Sequence, residues 1–276
     1  VFSDSNLFDV DNIKINKKNY QSKEEILEYA FKEGFETLIK KIVLKKDFIE
    51  ALNISSNDIK SLISNYQITE SKEKNTNEQY INLSFNRKRI NEFFYNKKIT
   101  YADISKTKIL LFPILKDKNG FNLFSKNYFF DNWLNEENNK NDLIDYVLPL
   151  ESAELIQMTS KQNIESMPID SFVTDYDIEN YFIIIIKPNL KKIEIFLKGR
   201  VFNNQVIKNI NYEINSEEKN VLYLNTIKII KQEINEIWKS QNLIDVRTPT
   251  FLNIILDIKR DNDLLNLQKA LNNIEL

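Results

Sequence analysis

Apolar and polar positions along this chain change their period several times, and each change marks an element. Phe8, Val10, Ile13 and Ile15 roughly alternate with polar residues, which predicts a strand over about 8–16. Ser22-Lys23-Glu24-Glu25 has the form of a capping box. After it, Ile26, Leu27, Ala30, Phe31, Phe35, Leu38, Ile39 and Ile42 keep helical spacing to about residue 43. Shorter helices are expected over 46–52 and 56–65. Two polar-rich strands follow over 66–73 and 78–86, joined by the turn-like Asn75-Thr76-Asn77. In the second, Ile81, Leu83 and Phe85 share one face, and Tyr80, Asn82 and Ser84 the other. Asn86 can cap a helix carrying Ile90, Phe93 and Phe94.

The pattern then breaks. The stretch Thr107-Lys108-Ile109-Leu110-Leu111-Phe112-Pro113-Ile114-Leu115 carries an apolar run with little alternation from Ile109 on, closed by the polar turn Lys116–Gly120. A short run of this kind reads as a strand buried on both faces, so helices must lie above and below it. Pro113 has no N–H for a ladder, so it belongs where a neighbouring strand has stopped pairing, or at a bulge. Asn127 can cap a short helix with Phe129, Phe130, Trp133 and Leu134, and Glu136–Asn141 is a polar loop. Leu143–Leu150 reads as a second strand, Ser152 opens a helix through Leu155, Ile156 and Met158, and a further helix lies near 168–175. Three successive strands follow, at Tyr181–Ile186, Ile193–Leu197 and Val206–Ile214.

A longer helix spans about 221–241, Pro249 introduces a strand over 250–259, and Asp261 or Asn262 opens a last helix. The fold class this implies is α+β or α/β, with two or three small units whose mixed sheets are covered by helices. The units are 1–104 (α+β), 105–217 (central, mixed sheet) and 218–276 (a helix plus a β-α pair, truncated or docked on the central unit).

Composition narrows the chemistry more than the architecture. The chain has 276 residues, of which 42% are hydrophobic and 28% charged, the ordinary balance of a soluble globular protein. The apolar run Tyr181–Ile186 is far below the roughly 20 residues that cross a bilayer, and no membrane span is expected. A net charge of −2 gives no general attraction to nucleic acid. There are only three glycines, so Asn is expected at many left-handed turn positions. The chain starts at Val1 and has no cleavable apolar segment, which points to a removed signal peptide or a trimmed start.

With no His and no Cys, the chain has no Ser-His-Asp triad, thiol nucleophile or usual zinc ligand set. No Gly-rich phosphate loop follows the buried strand, and no motif implies a cofactor. Ser105-Lys106-Thr107-Lys108 fits the Ser-x-x-Lys string of acyl-serine enzymes, but it enters a strand where that chemistry needs a helix start. Asp175, Asp177 and Glu179 alternate as calcium-loop ligands do, yet Asn180 and Ile186 stand where the loop needs Gly and Glu. Arg87-Lys88-Arg89 beside Tyr80 suggests a solvated face rather than a nucleic-acid platform. Trp133 and Trp238 lie on apolar helical stripes, where core packing is expected.

Several of these segments together resemble a bacterial envelope family known as domain of unknown function 2066. They are Tyr80–Phe85 with its following helix, Ile109-Leu110-Leu111-Phe112-Pro113-Ile114, the aromatic helix with Asn132-Trp133, Asp145–Leu150, the strands from 181 to 214 and the helix–strand at 221–259, so the resemblance covers most of the chain. The stretch Tyr128-Phe129-Phe130-Asp131-Asn132-Trp133 departs from the family's proline-containing segment. The central unit also resembles the amino-terminal α/β domain of TolB, at the level of fold. The resemblance implies a periplasmic or envelope location and assigns no catalytic residue.

The expected function is therefore non-enzymatic, through protein–protein interaction, with no nucleic acid, metal or cofactor. The alternative is a hydrolase or lyase using carboxylates with a divalent ion, drawing on Glu165, Asp170, Asp175, Asp177 and Glu179. The candidate ligand or partner surface is Asp117, Asn119 and Trp133, at the carboxyl end of the buried strand, where open α/β sheets place ligands.

Overall fold

The computed structural model describes residues 7–71, 77–103, 106–118, 120–134, 143–159, 173–189, 191–214, 218–248, 258 and 262–272. Among the expectations, Asn75-Thr76, Ser105, Asn119, Glu136–Asn141, Glu165, Asp170, most of the helix near 168–175 and the strand over 250–259 apart from Ile258 lie outside these residues. The architecture is α+β with mixed sheets. Backbone contacts divide the chain into two compact units, Val1–Asp245 and Val246–Leu276.

The first unit opens with β1 (Asp9–Asn16), α1 (Lys23–Ile42), α2 (Phe48–Leu52), α3 (Ser56–Leu62), β2 (Ile63–Glu70), β3 (Glu78–Phe85) and α4 (Arg87–Lys97). β1, β3 and β2 form an antiparallel sheet in that order. The Ser22 hydroxyl accepts from Glu25 N at 3.1 Å, and Glu25 accepts from Gln21 N at 2.8 Å. The capping box thus closes one residue further upstream than its usual form. Phe31, Gly34, Phe35, Leu38 and Ile42 are buried along α1. Beneath them β3 alternates as its sequence predicts, with Ile81, Leu83 and Phe85 buried and Tyr80, Asn82 and Ser84 on the wetter face. β2 starts directly after α3, three residues earlier than expected, and its exposed, polar side chains supplied little period to read.

β4 (Tyr101–Ala102) leads to β5 (Thr107–Asp117), β6 (Gly120–Asn122), α5 (Tyr128–Asn132), β7 (Ile144–Val147) and α6 (Ala153–Thr159). β8 (Tyr181–Pro188), β9 (Lys192–Val201) and β10 (Asn204–Glu213) follow, then α7 (Lys219–Ser240) and β11 (Leu243–Ile244). The main sheet runs β10-β9-β8-β5-β6, with β7 also on β5. β5 is parallel to β7 and β8, and the remaining pairs are antiparallel. Lys116 and Asp117, expected in a turn, extend the strand and pair with β6, which the sequence did not announce.

Ile109 to Leu115 is buried throughout, so the doubly covered strand is where its pattern placed it. On one face Ile109, Leu111, Phe182, Ile184 and Ile195 pack with Ile227, Ile230 and Ile234 of α7 and with Phe129 and Trp133. On the other, Leu110, Phe112, Ile114, Ile183 and Ile185 meet Leu123, Phe124, Leu155 and Ile178.

Pro113 sits in a gap. β7 pairs with Thr107–Leu110 and β6 with Leu115–Asp117, and among the described residues no strand pairs with the stretch between on that edge. Leu110 N–H donates to Asn180 O on the β8 side, so strand alternation turns position 113 to the opposite edge, where a proline leaves no donor stranded. Fully buried Asn127 fills the gap. Its Nδ2 donates to Pro113 O (2.6 Å), Asn122 O (2.9 Å) and Leu123 O (2.7 Å), while its Oδ1 accepts from Phe129 N and Phe130 N to cap α5.

The two sheets are joined around β4, which pairs with β11. Tyr101 stacks on Phe94 at 5.0 Å and meets Phe8 edge-on at 6.0 Å. Nearby, buried Lys239 of α7 donates to Lys40 O (3.2 Å) and Val43 O (2.6 Å) at the end of α1, and pairs with Glu236 at 2.5 Å. A lysine at a helix C-terminus satisfies carbonyls that the helix itself leaves open. Among the described residues, positive φ occurs at Asn12 and Asn203 but also at Lys98, Lys126, Asp177 and Phe202, so Asn supplies only part of the left-handed turns. In the second unit, α8 (Asp263–Asn272) is described, with Leu264 and Leu265 exposed. No helix among the described residues is long and apolar enough to cross a membrane.

Candidate functional site

The sequence-predicted surface at the end of β5 is spread between environments. Asp117 is exposed at the last position of the strand. Trp133 is fully buried in the core beneath α7, its ring 6.1 Å from that of Tyr146, and among the described residues its indole N–H has no hydrogen-bond partner. Tyr223 carries the electrostatic trace of Asp117: burial, then the Asp117 charge, push its hydroxyl above the ordinary tyrosine range.

Asp175, Asp177 and Glu179 are exposed, and among the described residues no group of three or more carboxylates could hold a metal ion. The two arginines of the basic triplet are engaged locally. Arg87 reaches Asp103 through Nη2 at 2.6 and 2.7 Å and lies 5.3 Å over the Phe8 ring, and Arg89 donates to Ser61 O at 2.6 Å.

A groove that no motif announced lies along α4. Residues three and four apart share a helix face, so Arg89, Glu92, Phe93, Asn96 and Lys97 line one wall. Asn53, Ile54, Ser55, Asp58, Ser61 and Leu62 line the other, and the space between is about 780 Å³. Each wall is held by its own chemistry. Asn86 caps α4 by accepting from Arg89 N at 3.0 Å, and Ser55 caps α3 by accepting from Asp58 N at 3.2 Å while donating to Asp58 Oδ2 at 2.6 Å.

Two cations tie the walls together. Arg89 bridges to Ser61 O, and Lys97 donates to Asn53 O (3.0 Å) and Glu50 (3.1 Å). Phe93 packs edge-on to Phe35 at 5.8 Å, which anchors the groove to α1. Glu92 and Asn96 are exposed. The arrangement is open, polar and of mixed charge, with an aromatic ring at its base. It presents hydrogen-bonding groups to an extended surface rather than enclosing a small molecule. The signal that could have found it is the polar spacing 89, 92, 96 opposite the buried Ile90 and Phe94.

A second open groove lies at the β8–β9 hairpin, lined by Asn189, Lys191, Lys192, Glu213 and Ile214. Neither groove is lined by Asp117 or Trp133.

No family model matches the chain, and no curated protein matches it. Among solved structures, lipoprotein GNA1162 from Neisseria meningitidis is similar at 14% identity and a TM-score of 0.28, over 48% of this chain and 99% of that one.

Proposed function

We propose that this chain is a non-enzymatic, envelope-associated protein that works in the periplasm by binding another protein. The single observation that carries the binding reading is the α4 groove. Its walls are braced by Arg89 and Lys97, while Glu92 and Asn96 stand exposed between them. A braced groove offering unspent polar groups suits a peptide segment or loop, because little ordering is lost on binding. The envelope part of the reading rests on the resemblance carried by Tyr80–Phe85, Ile109–Ile114 and Asn132-Trp133.

In-cell crosslinking followed by fractionation and recovery of the chain tests both parts. The expected result is a reproducible partner in the envelope fraction that is lost from Glu92→Lys and Asn96→Arg, with the melting temperature of either variant unchanged. A partner retained by both variants removes the groove from the reading, and recovery from the cytosol alone removes the location.

A further inference from the structure

Among the described residues five strand edges border the two sheets, those of β1, β2, β6, β7 and β10, and they are not equal. β1 is broken by a register shift between Val10 and Ile13, where Asn12 takes a positive φ, and β2 by a shift between Ile63 and Asn65. β6 has only three residues and β7 only four. These are the usual devices that keep an edge from recruiting another strand. β10 has none of them. It pairs with β9 residue for residue from Asn204↔Val201 to Glu213↔Lys192, without a bulge, proline or glycine. Among the described residues, no strand pairs with its outer side. Its lysine, the residue type that most often guards an edge, is drawn back by its ion pair with Glu233 of α7.

The parity of the strand fixes which groups are open. Ile214 N donates to Lys191 O, so the even-numbered residues make the β9 ladder. Gln205, Ile207, Asn209, Asn211 and Glu213 therefore turn their N–H and C=O outward. These five positions are symmetric about Asn209. We propose that β10 pairs antiparallel with β10 of a second copy of this chain, about a two-fold axis through Asn209 and normal to the sheet.

In that register Asn209 faces Asn209 of the second copy, Ile207 faces Asn211, and Gln205 faces Glu213. On the α7 side, Val206 meets Tyr212 and Lys208 meets Ile210. No like charges stand directly opposite, which a shift placing Lys208 against itself would impose. Val206, Ile210 and Tyr212 already pack against the core under α7, so the second strand extends that apolar row. Ile207, 62% exposed in the single chain, gains a neighbour. The two five-strand paths join into one sheet whose helices α7 lie on the same face. This inference is independent of the envelope reading.

The position on the axis makes the test specific, because any charge placed at 209 meets its own copy. Sedimentation equilibrium of the full chain is expected to show its mass rising from one chain to two with concentration. Asn209→Lys and Asn209→Asp should each weaken association by roughly tenfold or more, with circular dichroism unchanged. An equal mixture of the two should restore the dimer. A wild type that stays a single chain, a dimer that both variants leave intact, or a mixture no stronger than either variant alone would overturn the proposal. Amide exchange on the wild type needs no substitution. Protection at Ile207, Asn209 and Asn211 should fall on dilution, and protection that dilution leaves unchanged would mean the chain covers its own edge, which also overturns it.

Discussion

The three-stranded sheet under α1 and the six-stranded sheet under α7 bury their strands by different rules. β3 alternates between buried and half-buried positions along its length, because α1 covers one face of its sheet. β5 is buried without interruption from Ile109 to Leu115, because α7 and α5 lie over one face and Leu123, Phe124 and α6 over the other. A strand covered once needs only half its side chains to be apolar, whereas one covered twice needs nearly all of them. The first sheet keeps a polar face on which residues are free to change, and the second stakes its stability on close packing in both directions.

The most direct way to break this contrast is at its centre. Leu111→Ala removes a fully buried side chain beneath α7 and should cost about 2–5 kcal/mol in urea unfolding. A loss below about 1 kcal/mol, the size of an ordinary surface change, would mean the strand is not doubly covered.

Glycines sharpen the contrast, since each sheet has one in close contact. A Cβ at Gly199 on β9 would stand 2.2 Å from Tyr181 O, and a backbone carbonyl cannot step aside without moving β8. Gly199→Ala should cost about 3 kcal/mol, the upper end of ordinary overpacking. A Cβ at Gly34 on α1 would meet Leu83 Cδ1 at 2.3 Å and Ile13 Cδ1 at 2.9 Å, both tips of flexible side chains. Gly34→Ala also gains about 1 kcal/mol of helix propensity, so its net cost should be about 1 kcal/mol. Equal losses for the two substitutions would show that the sheets tolerate crowding alike.

What could be read in advance follows the same physics. The capping residues Ser22, Asn86 and Asn127, the helical spacing of α1 and α7, and the run at Ile109–Leu115 are local signals, and each gave its element. Pro113 was legible too, as a missing donor that must face an unpaired stretch. β6, β4 and β11 were not, because strands of two or three residues are created by the partner they meet and have no period of their own. The triple role of Asn127 was half visible: its cap is local, but its three carbonyl acceptors come together only through the gap between β6 and β7. The α4 groove depends on where α2 and α3 cross the helix, a tertiary fact. Trp133, read both as a helical core residue and as part of a candidate surface, packs wholly inside.

The smallest expected effect concerns the seam where the two sheets meet. Tyr101 donates to Asn91 Oδ1 at 2.9 Å, and burial, with the Asp103 charge second and Arg87 opposing, pushes its hydroxyl from 10.0 up to about 12. Because the folded value lies above the unfolded one, the stabilisation is complete below pH 10 and disappears as pH rises through about 12. Lys239 at the same seam works in the opposite sense. Burial lowers its value while Glu236 resists, so the penalty on its charged form lifts as pH rises toward 10.5. Comparing wild type with Tyr101→Phe separates the two, since both proteins keep Lys239. The wild type should lose about 1 kcal/mol relative to the variant midway between the two tyrosine values, read from urea midpoints across that range. If the difference between the proteins stays constant with pH, Tyr101 titrates as an ordinary tyrosine. The seam would then be open to water, and the two sheets would be less firmly joined than the Phe8, Phe94 and Tyr101 contacts imply.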